Sequence, residues 1–199
     1  MLKRMVDMVA ARRRPSRPNG SNRTYYNAPH LGLDGHMDYR RRIDGFEVLY
    51  PFLAERDVLD LGCAEGVILD HLLPAGPASI HGVDNSRHRI DAARRLFTDP
   101  RLRFDVADLN DPTCFDATSF AARYDVVMIL GVYQHLLAEC RGRMLEQALS
   151  RCASTFVLRL PHRHADLDAG AVAQRAGFVP QARFERPGGD LQVFARASA

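Results

Sequence analysis

The chain has 199 residues, 46% hydrophobic and 26% charged, the composition of one ordinary domain with a sizeable core. That excludes a disulfide scaffold, a collagen-like chain and a disordered tail. Four scattered cysteines, Cys63, Cys114, Cys140 and Cys152, lack the Cys-x-x-Cys spacing of a zinc knuckle and read as reduced structural thiols. The longest apolar stretch, around 126–132, is far short of the about 20 residues that span a bilayer. No secretory leader pattern opens the chain, so the expected location is the cytoplasm.

Of 27 Lys and Arg residues, Lys3 is the one lysine. This arginine bias reads as the mark of a GC-rich, bacterial genome rather than of a function. It still excludes chemistry: a Schiff-base lysine, a phosphate-loop Gly-Lys-Ser/Thr and the Tyr-x-x-x-Lys pair of short-chain dehydrogenases all need an internal lysine. The formal charge of +3 is unevenly placed, because residues 1–24 hold seven basic groups against Asp7, leaving residues 25–199 at −3. Counterion-release binding needs a basic face on the folded domain, so the distribution argues against a nucleic-acid substrate. Residues 1–24 read as a basic N-terminal extension, with Leu2, Met5, Val6 and Val9 able to form a short amphipathic turn that touches a membrane surface or a partner. Residues 25–199 read as one domain, with no repeat and no linker-like shift in composition.

Within that domain, residues 25–50 precede the first predicted strand and form a lid or acceptor segment in which Tyr26 and Arg40 are candidates to close over a ligand. The plain alternative is a packing helix with a solvated arginine face. Apolar runs then alternate with helical patterns. Strands are predicted at 57–61, 79–83, 102–106, 124–130 and 155–160, and helices at 67–73, 86–97, 117–123, 135–150 and 169–176. The 86–97 helix is the clearest, with Asn85 or Ser86 as N-cap and Ile90, Ala93, Leu96 and Phe97 on one face. Continuous apolar strands alternating with helices predict a doubly wound α/β fold with a mostly parallel sheet. The last two segments, 178–184 and 191–195, are joined by a turn-rich link too short for a crossover, so they predict an antiparallel C-terminal hairpin closing a seven-stranded sheet.

The run Val58-Leu59-Asp60-Leu61-Gly62-Cys63-Ala64-Glu65-Gly66 is an apolar strand that ends in a carboxylate and enters a small-residue turn before a helix. Such a turn lets a ligand approach the backbone, and the next helix points N–H groups at it. Asp84 stands at the end of the next strand, where a carboxylate can accept from both ribose hydroxyls. Asp60 beside the turn disfavours a pyrophosphate and suits a ligand with an ammonium group. Asp108, after the third strand, is placed to accept from an exocyclic adenine amine. The fourth strand ends at Leu130-Gly131 and delivers Tyr133 and His135 to the carboxyl edge, where open α/β sheets bind ligands.

Over about residues 50–199 the chain resembles the class I S-adenosylmethionine-dependent methyltransferases. Its Leu-Asp-Leu-Gly-Cys-Ala-Glu-Gly run matches the family's D-x-G-x-G-x-G motif, with Ala64 in place of the middle glycine. The resemblance implies S-adenosylmethionine as cofactor, with S-adenosylhomocysteine as product. It implies that Gly62, Ala64 and Gly66 shape the turn around the methionine part, that Asp84 holds the ribose and Asp108 with Leu109 the adenine, and that Asp60, Cys63, Asn85, Leu130 and Gly131 also belong to the cofactor site. Residues 132–136 resemble the corresponding stretch of enzymes acting on sugars and other small hydroxylated molecules, which implies O-methylation of a small-molecule acceptor.

His135 titrates near neutrality and is the candidate general base for a hydroxyl acceptor. Magnesium-using catechol-type relatives place acids at the ends of the fourth and fifth strands, where this chain has Gly131-Val132 and Pro161-His162, so no metal is expected. His162 and His164 alone read as a solvated loop rather than a metal pair. Two other readings stay open at this point. They are a methyltransferase that modifies RNA or tRNA, and a catalytically silent subunit that keeps the fold as a partner-binding module.

Overall fold

The computed structural model describes residues 24–164 and 167–197. Apart from Thr24, the basic extension lies outside the described residues. The chain opens on a small three-stranded sheet of β1 (Tyr26–Ala28), β2 (Leu33–Asp34) and β3 (Met37–Asp38), with β1 in the middle, followed by helices α1 (Tyr39–Ile43) and α2 (Tyr50–Leu53). A single packing helix is therefore not what residues 25–50 form. Gly35 turns the chain so closely against Tyr25 and Tyr26 that a Cβ there would overlap their backbone, which favours the doubled-back sheet.

The main sheet has seven strands: β4 (Asp57–Leu61), β5 (Ser79–Asp84), β6 (Leu102–Val106), β7 (Tyr124–Leu130), β8 (Cys152–Arg159), β9 (Phe178–Phe184) and β10 (Leu191–Arg196). Their spatial order is β6-β5-β4-β7-β8-β10-β9. The first five pair in parallel and β10 pairs antiparallel to both β8 and β9. The register of β9 against β10 shifts between Val193 and Phe194, opposite Ala182 and Pro180. A proline cannot donate to the ladder, so the bulge falls where a bond would be missing.

Side chains alternate across each strand and build two cores. Val126 and Met128 of β7 face one side, packing toward α3 (Val67–Leu72), α4 (Arg87–Leu96) and the N-terminal segment. Val127 and Ile129 face the other, toward α5 (Ala138–Ser150) and α6 (Ala169–Arg175). Ser86 caps α4, accepting from the Arg89 N–H at 3.4 Å, which resolves the choice between Asn85 and Ser86.

Three expectations need correction. Residues 117–123 form no helix: a short 3-10 turn at Cys114–Asp116 is followed by bends. Asp111 accepts from both the backbone N–H and the hydroxyl of Thr113 at 2.8 Å, turning the chain early, and Phe115 and Phe120 are buried in the core with ring centroids 5.0 Å apart. The helix predicted from His135 starts at Ala138, because Leu136 and Leu137 are extended and the Leu137 N–H donates to Asn110 Oδ1 at 2.9 Å. The strand predicted from Thr155 starts at Cys152, carried past a register shift opposite Tyr124 and Val126. Among the described residues no helix is long and apolar enough to cross a membrane.

Candidate functional site

The site lies at the carboxyl edge of β4, β5 and β7. After β4 the chain turns through three left-handed residues, Gly62 (φ 92°), Ala64 (φ 50°) and Gly66 (φ 77°). The turn is hung on β5: the N–H groups of Gly62 and Cys63 both donate to the Val83 carbonyl, at 2.8 and 2.9 Å. A Cβ on Gly62 would come within 2.6 Å of Val132, and one on Gly66 within 2.6 Å of Phe104. These two positions therefore require glycine for space as well as for φ. Ala64 tolerates its left-handed φ only with strain.

Asp84 is buried and its two oxygens hold the turn together. Oδ2 accepts from the Ala64 N–H at 3.1 Å, and Oδ1 from the Ser86 N–H at 2.9 Å. Each oxygen keeps a second lone pair. Arg89 comes within 3.8 Å of this carboxylate and within 3.8 Å of Glu65.

Asp60, 2% exposed, is the electrostatic oddity of the site. Its Oδ1 has no hydrogen-bond partner among the described residues, and a buried carboxylate oxygen without one is costly. Burial first, and Asp84 second, push its pKa from 3.8 up to about 7 against the opposing pull of Arg42. Arg42 itself is buried, donates from Nη2 to the Leu130 carbonyl and leaves its Nε unpartnered. The result is a buried acid with a raised pKa and a guanidinium with spare bonding capacity that interact electrostatically, Arg42 lining the cavity and Asp60 lying behind its lining. That donor set fits a zwitterionic ligand, with ammonium for Asp60 and carboxylate for Arg42.

Of the residues chosen from sequence, Tyr26, Gly62, Ala64, Asp84, Leu130, Gly131 and His135 line one cavity of about 70 Å³, together with Tyr25, Arg42, Arg89 and Val132. This enclosed part is smaller than the roughly 300–1,000 Å³ of small-molecule sites, so a nucleoside-sized ligand has to extend from it along the open edge. Asn85 and Asp108 are exposed on that edge, Asp108 accepting from the backbone and side-chain nitrogens of Asn110 at 3.0 and 3.1 Å.

Other candidates are placed elsewhere. Cys63 turns its thiol into the core against Gly82, where burial raises its pKa. Gly66 caps α3, and Leu109 is packed in the core beneath the edge. Arg40 does not reach the cavity: it is exposed and donates to the Tyr39 hydroxyl at 3.1 Å. Arg42, two residues on, takes the inward place. In a helix of five residues the hydrophobic phase is too short to tell which of three consecutive arginines points inward.

His135 sits on the 3-10 turn Tyr133–His135, exposed at the cavity mouth. Partial burial, then the positive groups His164, Arg163 and Arg89, hold its pKa below the ordinary histidine value. Sequence reasoning did not single out Arg42, Glu65 or Arg89; His162, read from sequence as a solvated loop residue, is exposed and bonded to Asp190. His162 shares Asp190 with Arg183: Nε2 lies 2.9 Å from Oδ1, and Arg183 donates twice to Oδ2 at 2.8 and 2.5 Å. The His162 bond leads the interactions that hold the Asp190 pKa down at about 2. This group lines a second recess of about 470 Å³ between the His162 turn and the β9–β10 link, with Arg186. Among the described residues no three His, Cys, Asp or Glu side chains are grouped to hold a metal.

A seven-stranded sheet in this order, with its acid-and-glycine turn after β4 and a reversed β10, is the class I methyltransferase fold. Residues 59–155 match the family model described as a methyltransferase domain. Magnesium protoporphyrin IX methyltransferase from Synechocystis PCC 6803, solved with S-adenosylmethionine bound, superposes with a TM-score of 0.64 at 20% identity, over 80% of each chain. A TehB-like S-adenosylmethionine-dependent methyltransferase from Corynebacterium glutamicum gives a TM-score of 0.60 at 21% identity, covering 81% of this chain and 89% of that one. A comparison with curated proteins gave no match.

Proposed function

We propose that the chain binds S-adenosylmethionine at the β4–β5–β7 edge and transfers its methyl group to a hydroxyl of a small molecule, a sugar or natural-product intermediate, without a metal. The observation that carries this reading is the buried Asp60 with an unpartnered oxygen, set beside the Gly62–Gly66 turn and the Asp84 carboxylate. The family-model match and the S-adenosylmethionine-bound neighbour support the same cofactor. When bound, the cofactor supplies an activated methyl on a sulfonium, open to direct displacement.

The chain's own residues do the rest. Asp60 and Arg42 hold the amino-acid part, Asp84 the ribose, and Asp108 the adenine end. Tyr25 and Tyr26 cover the cavity. Alignment of nucleophile and methyl supplies most of the acceleration. His135 accepts the acceptor's proton, and its lowered pKa keeps it neutral and competent at pH 7.

The test is transfer of radiolabelled methyl to a panel of sugars, phenols and unmodified tRNA, run with and without a chelator. Labelled hydroxylated product formed in the presence of chelator is expected. Label appearing in tRNA alone would overturn the small-molecule reading, and chelator sensitivity would overturn metal independence.

A further inference from the structure

Glu65 is a carboxylate with no exposure at all, placed inside the turn between Ala64 and Gly66. Burying a charge is costly unless it is hydrogen-bonded, and its partners come from the far end of the domain. Its two oxygens accept the backbone N–H of Tyr25 at 2.5 Å and of Tyr26 at 3.2 Å, some 40 positions earlier in the chain. Arg89 reaches within 3.8 Å of the same carboxylate and lays its guanidinium over the Tyr25 ring at 5.6 Å. Tyr25, Tyr26 and Arg89 all line the cavity. One side chain thus ties the covering segment, the cavity wall and the ligand-facing turn into a single unit.

We propose that Glu65 is a positioning residue for the cofactor, a latch that holds the Tyr25–Tyr26 segment and Arg89 over the bound ligand and so sets how tightly and how long it stays. This rests on the cofactor reading above. A turn that needed only a structural acid would be served by bonds within itself. Here the turn is already held by the Gly66 N–H to the Cys63 carbonyl at 3.0 Å and by contacts to Val83 and Asp84, and the Glu65 side chain is spent on the cover. Glu65→Gln turns one acceptor oxygen into an NH₂ facing an N–H donor, so it opens the latch with little change in volume.

The experiment measures S-adenosylhomocysteine affinity and dissociation rate, with amide exchange at Tyr25 and Tyr26, in the full chain and its variants. Glu65→Gln is expected to weaken binding by about tenfold or more, through faster dissociation, and to speed exchange at both amides. Tyr25→Pro removes one donor while leaving Glu65 in place, and Tyr25→Ala keeps that donor, so the proline variant should bind more weakly than the alanine one. The Tyr25 pair decides the matter if Glu65→Gln does not fold. Lowered melting temperature with affinity unchanged within a factor of about two would make Glu65 merely structural and overturn the latch. No binding of S-adenosylhomocysteine by the wild-type chain would instead overturn the cofactor reading itself.

Discussion

Asp60 is buried with an oxygen that has no hydrogen-bond partner among the described residues, a placement that is costly to the fold. Its pKa rises from 3.8 to about 7 on folding, so between those values the native state holds a proton that the unfolded chain has lost. Stability therefore falls as pH rises through that window. Asp60→Asn removes the penalty and should raise the melting temperature at pH 8, by about 2–4 °C for each kcal/mol relieved in a chain this size. The same variant should lose affinity for S-adenosylhomocysteine, since an amide does not pair with an ammonium. A variant no more stable at pH 8 than at pH 4, relative to wild type, would show that Asp60 is not the strained acid described.

The sequence suggested Asp84 as a ribose acceptor; the structure shows it pinning the Ala64 and Ser86 N–H groups, a task the sequence did not reveal. Asp84→Ala should consequently cost stability as well as about 1.5–3 kcal/mol of ligand binding. Differential scanning calorimetry beside a binding titration separates the two losses. His135→Gln, once an acceptor is in hand, should lower turnover by about 10²–10⁴-fold with cofactor affinity kept. The acid limb of the wild-type rate profile should fall below the reference histidine pKa of about 6.5, because burial and nearby cations favour the neutral ring. A limb above that value would contradict the assignment.

At the scale of elements, strands were read more surely than helices, and the reason is physical. The apolar runs of β4, β5 and β7 are buried on both faces, so their pattern is continuous and their ends fall at charged or glycine residues. The segment 117–123 offers one large apolar residue, Phe120, and no stripe, and a neighbouring Asp–Thr turn decided its conformation. Arg42 and Glu65 were invisible because each acts across a long sequence separation, 88 residues to Leu130 and 40 to Tyr25. No local spacing encodes such contacts.

The turn after β4 offers a direct check of element-scale strain. Ala64 holds a left-handed φ of 50° where the family motif carries glycine. Ala64→Gly should stabilise the chain by about 1 kcal/mol, a rise of about 2–4 °C in melting temperature. A fall would mean that the Ala64 methyl, 5% exposed, contributes more by packing than its conformation costs.

For the whole molecule, the two cores and the sheet order bring the candidate site and the second recess to one edge. The β4 turn, Asp84, the end of β7, the His162 turn and the β9–β10 link all open there, and the N-terminal segment closes over them through Tyr26 and Arg42. The alternation of strands and helices and the antiparallel hairpin were readable from pattern and link length, whereas the spatial order of the strands came from the structure. The small three-stranded sheet within residues 25–50 was not readable, since its short strands gain stability from packing on the main domain rather than from their own pattern, although Tyr26, expected near the ligand, does line the cavity. The most direct measurement is a calorimetric titration of the full chain with S-adenosylhomocysteine and, separately, with NAD. Saturable one-to-one binding of the first, weakened in Asp84→Ala, with no heat from the second, is expected. Binding of NAD instead, or of neither ligand by folded protein, would contradict a cofactor site at this edge.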